Sequence, residues 1–73
     1  MKRVLVKNRI EEYDYEDPKL EDVLLNIEKI KSANIVGVFS KEVELQNRNC
    51  FYTTIFILVD EHEKDKVGEV FDV

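Results

Sequence analysis

The fold is decided by the stretch Cys50-Phe51-Tyr52-Thr53-Thr54-Ile55-Phe56-Ile57-Leu58-Val59. Its last five residues are apolar without a break, and successive side chains of a strand point to opposite faces of a sheet. Ile55, Ile57 and Val59 are therefore expected on one face, with Phe56 and Leu58 on the other. A strand that is apolar on both faces must be covered on both faces. Because 73 residues with one predicted helix can cover only one face, we expect the other to meet a second copy or a partner.

Two elements are predicted ahead of this strand. Residues 2–10 alternate between apolar and polar side chains, which is typical of a half-buried strand, and residues 11–16 follow as an acidic loop. A helix opens at Asp17 and Pro18, since an aspartate accepts hydrogen bonds from free backbone N–H groups and proline suits the first helical position. The helix ends at residues 32–34. Its apolar stripe has helical spacing and consists of Leu20, Val23, Leu24, Ile27 and Ile30.

The rest of the domain is predicted to be a hairpin. Residues 35–45 form its first strand, 46–49 a short polar turn that asparagine favours, and 50–59 its second strand. The order is thus β-α-β-β, and the helical crossover makes the outer two strands parallel to each other. With the most apolar strand in the centre, we predict an α+β fold: a three-stranded, mainly antiparallel sheet in the order 1-3-2, packed on one helix. Residues 1–59 form this single domain.

The last residues, 60–73, are predicted as a charged linker followed by an apolar segment. Four apolar side chains stand between Val67 and Val73. They favour a short C-terminal strand that joins a sheet edge, and a disordered tail is the alternative; both readings stay open.

The balance of acidic and basic residues limits the classes of partner that the protein can bind. Sixteen acids against eleven lysines and arginines give a net charge of −5, which argues against direct binding to nucleic-acid phosphates. Seven of the acids lie between Glu11 and Asp22, against Lys19 alone. This acidic loop suits capture of a basic protein partner, or it serves only to keep a small protein soluble. No apolar run approaches the roughly 18 residues of a membrane span, so we expect a soluble, cytoplasmic protein without membrane contact.

Residue types give no support to an enzyme. Cys50 is the only cysteine and His62 the only histidine; we expect a small core residue and a solvated side chain, respectively. No cysteine or histidine pair has the spacing of metal ligands, and the run from Asp60 to Glu63 could hold a cation only loosely. Two glycines cannot build a phosphate loop. We expect no catalytic residues, no metal site and no cofactor.

Polar and aromatic side chains gather at the predicted strand ends and loops. Arginine binds phosphate in a fork, tyrosine stacks on bases, and asparagine reads base edges. In an oligomer, such groups from two copies can converge on a small nucleotide. The candidate ligand-binding residues are Arg9, Tyr13, Tyr15, Asn47, Arg48 and Tyr52. The alternative is ordinary loop chemistry, with tyrosines that cap the core.

Two segments carry a family resemblance: Ile35-Val36-Gly37-Val38-Phe39-Ser40 and Asn49-Cys50-Phe51-Tyr52-Thr53-Thr54-Ile55. Together with the size, the acidity and the β-α-β-β order, they resemble the short acidic sporulation proteins of bacilli and their phages. In that family a helix leads to an Ile/Val-rich strand with a serine, and a strand with Cys-Phe follows the turn. The resemblance covers residues 2–59; the longer acidic loop and the tail after Asp60 depart from it. It implies origin and fold, and it brings no catalytic residues.

These observations lead to an expected function. We expect a small non-enzymatic homo-oligomer of bacterial or phage origin that binds a nucleotide-type ligand between its subunits. The first alternative is an acidic, phage-type inhibitor of a nucleic-acid-binding host or defence factor, which would act through Glu11–Asp22. The second is a structural or regulatory sporulation protein.

Overall fold

The computed structural model describes residues 2–13 and 19–72, apart from the side chain of Leu45. A short 3-10 turn at Glu61–Glu63 precedes the last helix. The strands and helices, in chain order, are β1 (Arg3–Tyr13), α1 (Lys19–Glu28), β2 (Asn34–Leu45), β3 (Arg48–Asp60) and α2 (Lys64–Phe71).

The three strands form one sheet in the order β1-β3-β2. Both neighbours of β3 run antiparallel to it, so the predicted α+β class and the strand order 1-3-2 are confirmed. The most apolar strand lies in the centre, where it has a hydrogen-bonded neighbour on each side.

The hairpin between β2 and β3 turns on two residues. Gln46 and Asn47 have φ angles of 49° and 66°, in the left-handed region, and two such residues in a row give a turn whose twist suits the flanking strands. Asparagine tolerates this region well, whereas glutamine seldom occupies it. As a result β3 begins at Arg48, and Arg48 and Asn49, predicted in the turn, are strand residues.

The hydrophobic core lies on the inner face of the sheet, the face that carries both helices. Ile55, Ile57 and Val59 of β3 are completely buried there. Their cover comes from Val23 and Ile27 of α1 and also from α2, so two helices pack on this face rather than the one predicted. The buried hydrophobic cluster comprises Ile10, Val23, Ile27, Ile30, Ile55, Ile57, Val59 and Val67.

The C-terminal segment corrects the sequence-based prediction. It forms helix α2 rather than a short strand or a disordered tail. Val67, Val70 and Phe71 recur at the spacing of one helical face, and Val67 is completely buried in the core. The segment before α2 is held to the sheet, since the backbone N–H of Glu61 donates to the carbonyl of Lys2 at 2.9 Å.

Strand β1 is longer than predicted. Residues 11–13, expected in the acidic loop, continue the strand and pair with residues 50–52 of β3. The three strands therefore extend beyond the helices as an arm, in a molecule of 47 × 17 × 15 Å. On the inner face of the arm Phe51 is 39% exposed, whereas Thr53, one step closer to the core, is buried.

The start of α1 has a cap from β1. The backbone N–H of Lys19 donates to Oε2 of Glu12 at 3.1 Å, which satisfies one of the free donors at a helix N-terminus. The predicted cap by Asp17 and the first helical position of Pro18 lie outside the described residues. The helix ends at Glu28, before the predicted end, and the bond from Ile30 N to Ile27 O at 3.0 Å continues the turn.

Candidate ligand-binding face

The face of the sheet opposite the helices is called the open face. It is formed by the odd-numbered residues of β1, the even-numbered residues of β3, and the odd-numbered residues of β2 from Gly37 onward. No helix among the described residues packs against it. Its side chains divide into an apolar half and a half that is polar and aromatic.

The apolar half lies behind the helix-covered core. Leu5 and Phe39 are 61% and 64% exposed, and Phe56 and Leu58 are half-buried. The rings of Phe39 and Phe56 meet edge to face, with centroids 5.8 Å apart and an interplanar angle of 84°, which is a favoured aromatic geometry. A Cβ on Gly37 would lie 2.9 Å from the ring of Phe39. The glycine therefore makes room for this ring.

The polar half brings together four of the predicted ligand residues. The guanidinium of Arg9 lies over the ring of Tyr52, with its central carbon 5.0 Å from the ring centroid. The guanidinium of Arg48 lies over Tyr13 at 4.9 Å. These four residues are called the Arg–Tyr cluster. Cys50, directly opposite Tyr13 in the sheet, is completely buried and carries the small side chain expected at a packed position.

The other two predicted ligand residues are not in this cluster. Asn47 occupies the hairpin turn, where its backbone is left-handed and its side chain is exposed. Tyr15 lies outside the described residues. The cluster therefore rests on the two arginine–tyrosine pairs.

The tyrosines of the cluster are held in their neutral form. Electrostatic interaction with the Cys50 side chain, followed by that with Glu11, raises the pKa of Tyr13 above its usual value. A hydrogen bond with Cys50 is the first cause that raises the pKa of Tyr52, and desolvation is the second. Both rings therefore remain uncharged phenols at neutral pH, and their contact with arginine is a cation–π contact rather than an ion pair.

The open face has the opposite charge from the rest of the protein. It carries five cations and two carboxylates, whereas the other described residues hold eleven carboxylates and six lysines. Both carboxylates of the open face are engaged, Asp60 with Arg3 at 3.2 Å and Glu11 with Arg9 at 3.1 Å. The expectation that nucleic acid is excluded rested on the overall charge of −5, and this ground does not apply to the open face.

Sequence reasoning did not assign Lys7, Lys41, Phe39 or Phe56 to a ligand site. They lie on the same face as the Arg–Tyr cluster. The period of two in each strand was the available signal, but it places residues of different strands side by side only when the register is known.

A second group of side chains has the composition of a cation site. One ligand atom each from Asp60, His62 and Glu63 lie within 4.8 Å of one another. The carboxylate of Asp60 accepts from Arg3, and that of Glu63 accepts from the backbone N–H of Ser32 and from Lys66. Because both carboxylates already have partners, this group is explained as part of the fold.

Comparisons of the chain with protein-family models, with curated proteins and with solved structures gave no match. The resemblance to short acidic sporulation proteins therefore stays a prediction. Among the described residues no helix combines the length and the apolar character that crossing a membrane requires.

Proposed function

We propose that this protein is a non-enzymatic binding protein that holds a nucleotide-type ligand at the Arg–Tyr cluster of the open face. The observation that carries the proposal is the pair of guanidinium groups that lie over tyrosine rings at 5.0 and 4.9 Å. A guanidinium that lies over a ring still has N–H groups that can bind a phosphate. Its outer plane is a surface on which a base can stack.

The cluster is arranged before any ligand arrives. Tyr13 and Tyr52 stand on adjacent strands whose register is fixed by the sheet. Arg9 is also held by Glu11 at 3.1 Å. Side chains that are already ordered lose less conformational entropy on binding, so the arrangement favours ligand affinity.

The predicted homo-oligomer has one supporting observation and one against it. The exposed apolar side chains of Leu5 and Phe39 form the kind of surface that often meets a partner. Two open faces packed directly together would, however, bring like charges into contact, which opposes association. We therefore place an anionic ligand, rather than a second copy, at the centre of the proposal.

The alternative functions stay predictions. The acidic inhibitor depends on Glu11–Asp22, of which residues 14–18 lie outside the described part. Within the described part, Glu11 is paired with Arg9 and Glu12 with the start of α1, so neither is presented to a partner as a free carboxylate. The sporulation protein depends on the resemblance alone.

Calorimetric titration with AMP, ADP and dTMP tests the proposal, with inorganic phosphate as a reference. We expect a nucleotide to bind more tightly than phosphate. Arg48→Ala should weaken that binding about tenfold or more, since stacking and a charged hydrogen bond are lost together. Arg48→Lys should recover only part of it, because lysine keeps the charge and loses the planar fork.

Lys29→Ala is the matched control, since it removes one exposed cation from the turn that follows α1 and should leave affinity unchanged. The proposal fails if none of the three nucleotides binds. It also fails if Arg48→Ala and Lys29→Ala weaken binding equally, because the effect would then reflect net charge alone.

A further inference from the structure

The open face has a regular order along the central strand. Every second residue of β3 points to this face, and two residues advance a strand by about 6.6 Å. Each such residue, with its direct neighbours on β1 and β2, is called a level and takes the number of the β3 residue. Level 50, which includes Tyr13 of the Arg–Tyr cluster, lies in the arm, and level 56 lies behind the core.

Levels 52, 54 and 56 each hold one aromatic ring and one cation, and level 50 holds a ring with a cation from the neighbouring position of β3. The pairs are Tyr52 with Lys41 at level 52, Phe39 with Arg9 at level 54, and Phe56 with Lys7 at level 56. At level 50 the ring is that of Tyr13, and Arg48, two residues before Cys50 in β3, lies over it. The order continues from the polar half of the face into the apolar half. Phe39, with 64% of its surface exposed, is available for a partner although it lies outside the cluster.

A nucleotide repeats the same two features, one flat ring and one negative charge. A single strand whose bases are unstacked can place its bases on successive rings while its phosphates follow the cations, as proteins that bind single strands do. A shallow concavity of about 320 Å³ lies between levels 54 and 56, lined by Lys7, Asn8, Arg9 and Thr54. It gives a phosphate room between two cations.

Other occupants fit this surface less well. A duplex keeps its bases stacked inside, so Phe39 and Phe56 would gain no partner. A free mononucleotide occupies one level and leaves the others without a role. The five cations and two carboxylates of the open face leave an excess of three positive charges. A second copy would bring two such faces together, whereas an anionic partner complements the excess.

We propose that the open face binds single-stranded nucleic acid, with one nucleotide at each of the four levels. This inference rests on the function proposed above and names a polymer, rather than a free nucleotide, as the ligand. Four nucleotides lie at the lower end of the site sizes of known single-strand-binding folds.

Fluorescence anisotropy with labelled dT8 and U8 tests the inference against dTMP and against a blunt hairpin duplex. We expect dT8 or U8 to bind at least tenfold more tightly than dTMP and than the duplex. The affinity should fall with salt, with a slope of about −2 to −3 in log K against log salt for three or four phosphates. Tighter binding of either dT8 or U8 supports the inference. The difference between their affinities shows whether the protein prefers single-stranded DNA or RNA.

Two substitutions outside the Arg–Tyr cluster locate the strand. Phe39→Ala should weaken dT8 binding about tenfold, because one base loses its stacking surface, and Lys7→Ala should lower the salt slope by roughly one contact. Neither should change the affinity for dTMP. Leu25→Ala and Lys29→Ala are matched controls on the other side of the protein, where Leu25 is 51% exposed, and both should bind dT8 normally.

The outcomes separate the two proposals. If dTMP binds and dT8 binds no more tightly, the inference fails and the proposed function stands. If dT8 does not bind and none of AMP, ADP and dTMP binds, both fail. The inference is also overturned if the duplex binds as well as dT8. It is overturned in favour of a second copy if sedimentation shows a dimer that Phe39→Ala dissociates, while dT8 has no effect.

Discussion

The two faces of strand β3 carry side chains of the same kind in different surroundings. Ile55, Ile57 and Val59 are completely buried beneath two helices. Phe56 and Leu58, between them in sequence, remain half-exposed on the open face. Apolar character alone therefore did not decide burial; the residues that pack against each face did. The inner face contributes stability, and the open face keeps apolar area, rings and cations that a ligand can use.

The largest effect is expected from a pair of substitutions, one on each face. Ile57→Ala should lower the free energy of unfolding by about 2–5 kcal/mol, because it leaves a cavity in a closed core. Leu58→Ala should cost about 1 kcal/mol, because a half-exposed side chain loses less contact and leaves no enclosed cavity. Urea unfolding followed by circular dichroism measures both.

Equal losses for the two variants would contradict this comparison, since they would mean that the open face is as closely packed as the inner face. A large loss for Leu58→Ala that disappears on dilution would point to cover by a second copy. An unchanged slope of free energy against urea would show that each variant alters stability rather than the surface exposed on unfolding.

A smaller effect on stability is expected from the hydrogen bonds of Glu63, which join the segment before α2 to the segment after α1. The carboxylate of Glu63 accepts from the backbone N–H of Ser32 at 3.2 Å and from Lys66 at 3.2 Å, and hydrogen bonding by Ser32, then by Lys66, lowers its pKa. Since the folded-state pKa lies below the unfolded one, the stabilisation is present above the unfolded value and is lost as the pH falls through the folded value.

Urea titrations between pH 7 and pH 3 test this contact. We expect the unmodified protein to lose more stability on acidification than Glu63→Gln, which has no charge to lose at this position. Glu69→Gln, an exposed carboxylate on α2 with no ion pair among the described residues, is the control and should follow the unmodified protein. A Glu63→Gln curve parallel to that of the unmodified protein would show that other carboxylates account for the pH dependence.

Sequence patterns predicted the inner architecture because its signals are local. The unbroken apolar run places β3 in the centre, and the stripe through Val23 and Ile27 predicts α1. Helix α2 was missed because its few apolar residues are consistent with either a strand or a helix. The choice depends on the folded sheet, where α2 packs beside β1 and Val67 is buried. A short segment of this kind takes its structure from tertiary contacts more than from propensity.

The ligand-binding face was predictable in its residue types but not in its arrangement. Arg9, Tyr13, Arg48 and Tyr52 stand out as phosphate-binding and base-stacking side chains. Their meeting depends on β1 continuing through Glu11 and Glu12, which single-sequence propensity assigns to a loop. Phe39 was assigned to the strand predicted over residues 35–45, and nothing short of the register shows that its ring lies on the exposed face.

The smallest expected change in stability comes from Gly37→Ala, and it separates the two faces by spectroscopy. A Cβ at this position would lie 2.9 Å from Cε2 of Phe39, the outer end of an exposed side chain that can move away. Moving it forfeits an edge-to-face contact of about 0.5–1.5 kcal/mol, whereas alanine in a strand gains about 0.5–1 kcal/mol over glycine. The two effects oppose each other, so the free energy of unfolding should change by less than about 1 kcal/mol.

Proton spectra should nevertheless show altered ring signals of Phe39 and Phe56 and unaltered methyl signals of Ile55 and Ile57. If the methyl signals shift as well, the two faces are mechanically coupled through β3, and the open face cannot be treated as a surface that varies independently of the core.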